Sequence, residues 1–235
     1  MEFDVPVEVK VWGCYACFTR PEMKVERVSY PVMTPSAARG VLEAIFWKPE
    51  FRWEVRRIGV VKIGREAVIV RNEISRRQSS SPIVASDDKE RQQRSTLLLR
   101  DVEYVIEAAM VLRPHATDPL PKYRDQFVRR VERGQCFHTP YLGTRECTAL
   151  FGPAEEGEPP DQELNRKLGT MLLDIAFVPS VQRNELSFKH ARRGETDGGY
   201  AEAVFFDAEL VKGWLGIDPS LYRKLRDKTE AINVR

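Results

Sequence analysis

Histidine and cysteine are scarce in this sequence, with three His and four Cys in 235 residues. Cys14, Cys17, Cys136 and Cys147 are too few and too irregularly spaced for a disulfide framework, so reduced thiols and a cytoplasmic location are expected. Cys14 and Cys17 stand as Cys-x-x-Cys, but a structural zinc needs further ligands, and Cys136, His138 and Cys147 have no finger spacing relative to that pair. No metal and no cofactor is expected, and the two thiols are read as small buried side chains. Long apolar runs are also missing. The stretches from Val41 to Trp47 and from Met171 to Pro179 are interrupted by Glu43 and Asp174 and fall short of the roughly 20 residues that span a bilayer, which argues against a membrane partner. The start, Met1-Glu2-Phe3-Asp4, is acidic where a secretory signal is basic and then apolar, so export is not expected. Gly64-Arg65 and Gly198-Gly199 are isolated turn glycines rather than a nucleotide-binding loop, and no repeat of 20 to 50 residues is visible.

What the sequence does have is a core and an uneven charge. With 42% hydrophobic residues, it can bury enough surface to fold without staples. The net charge of +2 conceals an asymmetry: residues 50–135 carry 18 Lys and Arg against 13 Asp and Glu, and the remainder is acidic by 22 to 19. Arginine dominates the basic part, and guanidinium groups suit phosphate oxygens and stack on bases. A solvated mixed-charge surface is the alternative reading.

Periodicity organises the chain into alternating elements. Val5, Val7, Val9 and Val11 alternate with Pro6, Glu8, Lys10 and Trp12, predicting a half-buried strand. Thr34 can cap a helix beginning at Pro35, with Val41, Leu42, Ala44 and Ile45 on its buried face and Pro49 ending it. Arg52 to Ile63 and Ala67 to Ile74 read as a hairpin turning at Gly64-Arg65-Glu66. Ser75 to Ser95 reads as a polar mobile insertion, after which Val102 to Leu112 resumes pairing. Asp118 to Gly134 predicts a second helix with Asp118 as a possible cap, Leu120, Tyr123, Phe127 and Val131 on one face, and Gly134 as the stop. Tyr141 to Leu150 is the expected closing strand. This order is α+β and ferredoxin-like, as in RNA-recognition modules. The acidic Gly/Pro-rich stretch at 152–160 suggests a linker, dividing a ferredoxin-like domain (1–150) from a small antiparallel β domain (151–235) with strands at Leu168–Val178 and Ala201–Leu210.

Five segments occur in an order that resembles a known family: Trp12-Gly13-Cys14-Tyr15-Ala16-Cys17-Phe18-Thr19, Ser29-Tyr30-Pro31-Val32, Ala44-Ile45-Phe46-Trp47-Lys48-Pro49, Tyr141-Leu142-Gly143-Thr144-Arg145-Glu146-Cys147 and Leu168-Gly169-Thr170-Met171. They are similar to the CRISPR-associated pre-crRNA endoribonucleases of subtype I-C, the d branch of the fifth Cas family in the RAMP superfamily. The resemblance implies metal-independent cleavage of CRISPR repeat RNA at the base of its hairpin, retention of the 5′ handle, and association with other subunits of the type I-C surveillance complex. It also implies that duplex DNA is a possible partner.

Metal-free RNA cleavage uses the substrate's own 2′-hydroxyl, so the protein must orient it, move protons and stabilise charge on the phosphate. The family pattern places a tyrosine at the end of the first helix and a Lys-His pair at the start of the second. The corresponding residues here are Phe46, Lys122 and Tyr123. Lys122 matches, and a cation in a first helical turn opposes the macrodipole, which singles it out; an exposed solubilising lysine is the plainer alternative. Phe46 lacks a hydroxyl, so its role shrinks to packing or base stacking. Tyr123 replaces imidazole with a phenol whose reference pKa near 10 makes it a poor base, and it also lies on the apolar stripe. His138 is a candidate substitute base or a structural surface histidine. Arg129, Arg130 and Arg133 are candidate RNA-backbone contacts or an ordinary solvated face, and Tyr30 is a further hydroxyl within a family-like string. Two other readings remain beside the nuclease: a non-catalytic subunit that grips the 5′ handle, and a general basic DNA-binding protein.

Overall fold

The computed structural model describes residues 5–23, 25–75, 90–154, 159–189 and 196–230. β1 (Val7–Ala16) buries Val7, Val9 and Val11 as its alternation predicts, while Val5 lies outside the strand and is exposed. After the two-residue β2 (Arg27–Val28), Thr34 caps α1 (Pro35–Ile45), its hydroxyl accepting the Ala37 N–H at 3.2 Å. Val41, Leu42, Ala44 and Ile45 are buried on the inner face of this helix, as their spacing requires.

The expected hairpin between residues 52 and 74 has a different partner. β3 (Phe51–Lys62) and β4 (Arg65–Ile74) do not pair with each other; both pair with β5 (Arg91–Leu112), β3 along its second half and β4 along its first. Two consecutive strands therefore form one long arm opposite a 22-residue strand. The polar composition of 91–95 suggested a loop, yet backbone pairing across to β4 makes it strand, because a solvated ribbon tolerates polar side chains on both faces. The part of the expected insertion at 76–89 lies outside the described residues.

α2 (Leu120–Glu132) follows, with Tyr123, Phe127 and Val131 buried and Gly134 beyond its end at φ +61°. Asp118 does not cap it; the N-cap is Pro119, and no side chain bonds to that end. The expected closing strand at 141–150 is only a bridge between Tyr141 and Thr148, and regular pairing begins with β6 (Leu150–Gly152) against β1.

The order β6-β1-β5-β3 is the ferredoxin-like sheet, antiparallel at each step. It continues past β3 into β10 (Trp214–Gly216), β9 (Thr196–Val211) and β7 (Arg166–Pro179), with β8 (Leu186–Lys189) paired to β9. The expected division near residue 150 falls in β6, and the strands after it belong to the same ten-strand sheet among the described residues. Part of the expected linker, 155–158, and residues 190–195 lie outside the described residues. A helix that the sequence reading did not anticipate, α3 (Pro219–Glu230), packs on β7 and β3 through buried Tyr222, whose hydroxyl oxygen accepts the Val55 N–H at 3.1 Å.

The join between the helices is aromatic. Phe51 stacks against Phe46, Trp53 and Tyr123 with ring centroids 5.5 Å apart in each case, and Trp53 meets Phe127 at 4.9 Å. Burying each such ring contributes roughly 1.5–3 kcal/mol, so this cluster fixes α1 and α2 against β3. No helix among the described residues is long and apolar enough to cross a membrane.

Candidate active site

The exposed face of α2 carries the candidate cations. Lys122, Arg129 and Arg133 are separated by seven and four residues, which places them on one stripe of the helix, and all are exposed. The Lys122 ammonium meets the Asp118 carboxylate at 2.9 Å, four residues back. The hydrogen bond to Asp118, and then its charge, raise the Lys122 pKa above the ordinary lysine value. Lys122 is therefore a fixed ammonium rather than a proton acceptor, and Asp118 also offsets the unfavourable meeting of a cation with a helix N-terminus.

Arg130 is separate from that stripe. It lies over the Phe46 ring at 5.2 Å, and its Nη1 donates to the Ile45 carbonyl at 2.8 Å, satisfying a carbonyl at the C-terminal end of α1. Its guanidinium joins the two helices. Phe46 is 1% exposed, and its carbonyl accepts the Trp53 indole N–H at 3.0 Å, so packing describes its side chain and base stacking does not. Tyr123 is 3% exposed, with its hydroxyl buried among the same rings, which fits the apolar stripe rather than proton transfer. Tyr30 is buried as well: its hydroxyl bonds the Leu172 backbone, Arg20 covers its ring at 4.4 Å, and burial followed by the Glu22 charge raises its pKa. In this structure its surface is not available to RNA.

His138 is exposed beside the highly exposed Phe137. Both backbone N–H groups donate to the Ala44 carbonyl, at 2.8 Å from Phe137 and 3.2 Å from His138. This anchors the His138 backbone at the end of α1, on the carbonyl next to the one that Arg130 bonds. The loop then turns so that the Leu142 carbonyl accepts the Cys17 N–H at 2.9 Å, and Gly143, at φ +89°, lies directly against the Cys17 carbonyl. Cys17 and Cys147 are buried near this contact, whereas Cys14, expected to be buried, is exposed on the strand.

Several features were not legible as site residues. Arg39 on α1 reaches Asp174 on β7 through Nε at 2.6 Å and Nη2 at 2.9 Å, and Glu43 through Nη1 at 2.8 Å. Burial works against the Arg39 charge, but Asp174 and then Glu43 more than offset it and raise its pKa. A cavity of about 340 Å³ opens beside this network, walled by the Ser36, Arg39, Gly40 and Glu43 face of α1 and by Tyr141. Elsewhere, Arg27 of β2, Arg71 of β4 and Arg94 of β5 gather around Glu73 of β4 and Glu146 of the loop before β6. The i, i+3, i+4, i+7 spacing of the α1 residues was visible in the sequence, but nothing there showed that a loop about 100 residues later would close the other wall.

A ferredoxin-like sheet bearing a helix with a basic exposed stripe is the architecture of an RNA-recognition-like protein. The family model described as CRISPR-associated protein (Cas_Cas5), of the Cas5d type, matches residues 7–210. The chain is 59% identical, over 93% of its length and 94% of the relative's, to the CRISPR pre-crRNA endoribonuclease Cas5d of Thermus thermophilus. It is 41% identical, over 88% of its length and 98% of the relative's, to the protein of the same name from Mannheimia succiniciproducens. Among solved structures, a CRISPR-associated protein superposes with TM-score 0.61 at 22% identity over 91% of both chains. A Streptococcus mutans protein, SMU1763c, does so with TM-score 0.60 at 19% identity, over 91% of this chain and 92% of that one. These two similarities establish the fold. The chain belongs to the Cas5d family of CRISPR-associated proteins.

Proposed function

We propose that this chain is a pre-crRNA endoribonuclease that cuts CRISPR repeat RNA once, at the 3′ base of its hairpin, by metal-independent attack of the substrate's 2′-hydroxyl, and then holds the 5′ handle within the type I-C surveillance complex. The observation that carries the reading is the exposed ammonium of Lys122, at the N-terminal turn of α2, on one stripe with Arg129 and Arg133. In-line attack builds negative charge on the phosphorus oxygens, and a fixed cation beside helix-end N–H groups stabilises it. Arg129 and Arg133 follow the stem backbone, which is read by charge and shape. His138, exposed beyond the other end of α2, is the candidate to accept the 2′-hydroxyl proton. Phe46 and Tyr123 hold the helices that present Lys122 and His138 and take no proton themselves. Relatives named as pre-crRNA endoribonucleases, at 59% and 41% identity over nearly the whole chain, support the activity.

The test is incubation of the purified protein with its cognate repeat hairpin in excess chelator, beside Lys122→Ala. The expected result is one cut, slowed about a hundredfold or more in the variant, with affinity reduced less than about tenfold because one phosphate contact is lost. A second reading, a handle-binding subunit without catalysis, is favoured by the burial of Phe46 and Tyr123, which leaves neither ring where a substrate proton would be exchanged. A hairpin that is bound tightly and stays intact in chelator would support that reading over the nuclease.

A further inference from the structure

Gly40 is the sixth residue of the eleven-residue α1, where glycine destabilises a helix relative to alanine. Packing does not explain it: apart from its chain neighbours and the helix's own nearby backbone, no atom of the described residues stands within 4 Å of the position where its Cβ would be. That open space belongs to the cavity walled by Arg39, Gly40 and Glu43 on one side and by Tyr141 on the other. At about 340 Å³ it lies within the range of small-ligand sites, at the lower end of roughly 300–1,000 Å³. Glycine at the middle of a helix, lining a cavity, leaves the helix backbone open to close approach by a ligand.

The chemistry of the walls selects the occupant. The Arg39 guanidinium is locked in plane by two bonds to Asp174 and one to Glu43. Three of its five N–H groups are bonded, which leaves one on each terminal nitrogen and the flat face of the group for a ligand. Arg39, Asp174 and Glu43 together carry a net charge of −1, which disfavours a phosphate. A planar, uncharged group with N–H donors on its edge suits both features: it stacks on the guanidinium and donates to the second Glu43 oxygen or to the Tyr141 hydroxyl. Glu43 also immediately precedes Ala44, whose carbonyl holds the Phe137 and His138 backbone.

We propose that this cavity binds one unpaired nucleobase with an amino or imino donor edge, splayed out of the repeat RNA next to the hairpin stem. The proposal rests on the reading of the chain as a repeat-RNA-binding protein, and it adds a specificity-determining site on α1 to the cations of α2. Arg39, Gly40 and Glu43 set the preference for that base without entering the cleavage step.

The test measures binding rather than cleavage. The full chain is titrated with fluorescent repeat hairpins in which each unpaired nucleotide flanking the stem is made abasic in turn. One position is expected to weaken wild-type binding about ten- to a hundredfold, the range for losing one stacked base. Gly40→Ala is expected to melt at a higher temperature than wild type, yet to bind the intact hairpin more weakly and to show little further loss on the abasic one. Glu43→Gln is expected to flatten the preference at that same position. If Gly40→Ala is more stable and binds every hairpin as wild type does, or if its loss and the abasic loss simply add, the cavity is not a base site. Wild-type protein that binds but does not cut would overturn the proposed activity while leaving this measurement intact.

Discussion

Replacing Gly143 by alanine places a methyl group against backbone that has no room to yield. The position has φ +89°, and an added Cβ would stand 2.1 Å from the Cys17 carbonyl oxygen and 2.6 Å from its carbon. Left-handed backbone costs a non-glycine residue about 1–2 kcal/mol. The contact costs about 1–3 kcal/mol more, since the nearest atoms are main chain and relief requires moving the loop or the end of β1. Gly134→Ala provides the control: φ is +61°, an added Cβ meets nothing within 4 Å among the described residues beyond its chain neighbours, and only the conformational cost of about 1 kcal/mol applies. For a chain of this size, 1 kcal/mol shifts Tm by roughly 2–4 °C. The melting temperature followed by circular dichroism should therefore fall by about 2–4 °C for Gly134→Ala and by about 4–20 °C, from the sum of about 2–5 kcal/mol, for Gly143→Ala. The larger change should also break the Cys17 N–H bond to Leu142 and move the loop that carries His138 and Tyr141. If the two variants melt together, the Cys17 contact does not constrain the loop and the argument fails.

Gly40→Ala, in the same series, should have the opposite sign, stabilising by about 0.5–1 kcal/mol in a denaturant titration. Tyr222→Phe leaves the Val55 N–H without its partner in a buried setting and should destabilise by about 1–3 kcal/mol, read as a lower urea midpoint with unchanged slope. The pH dependence of Lys122 follows from its raised pKa: pairing with Asp118 stabilises the fold fully below the unfolded lysine pKa of about 10.4 and is lost as pH rises through the higher folded value. Between pH 7 and 9 the cleavage rate should therefore show no fall attributable to lysine. A decline in that window that disappears in Lys122→Arg would refute the role of a permanent cation.

Sequence alone determined the parts whose signal is local. The alternation of Val7, Val9 and Val11, the Thr34-Pro35 start of α1, the stripe of Tyr123, Phe127 and Val131, and the stop at Gly134 are each properties of a few neighbouring residues, and each is present in the fold. The ordered family strings likewise needed only the linear chain. Partnership required the tertiary structure, because pairing joins residues that periodicity cannot relate. Thus β4 chose β5 over β3, 91–95 became strand because a neighbour supplied its hydrogen bonds, and β10 joined the later strands to the same sheet. The site divided in the same way. Lys122 could be read in the first turn of its helix, although Asp118 proved to be its ion-pair partner rather than a cap, whereas the direction of Arg130 toward α1, the burial of Tyr30 and the cavity beside Gly40 depend on contacts across long sequence separations. Side-chain type and spacing fix what a residue can do; only the packed neighbours decide which surface it faces.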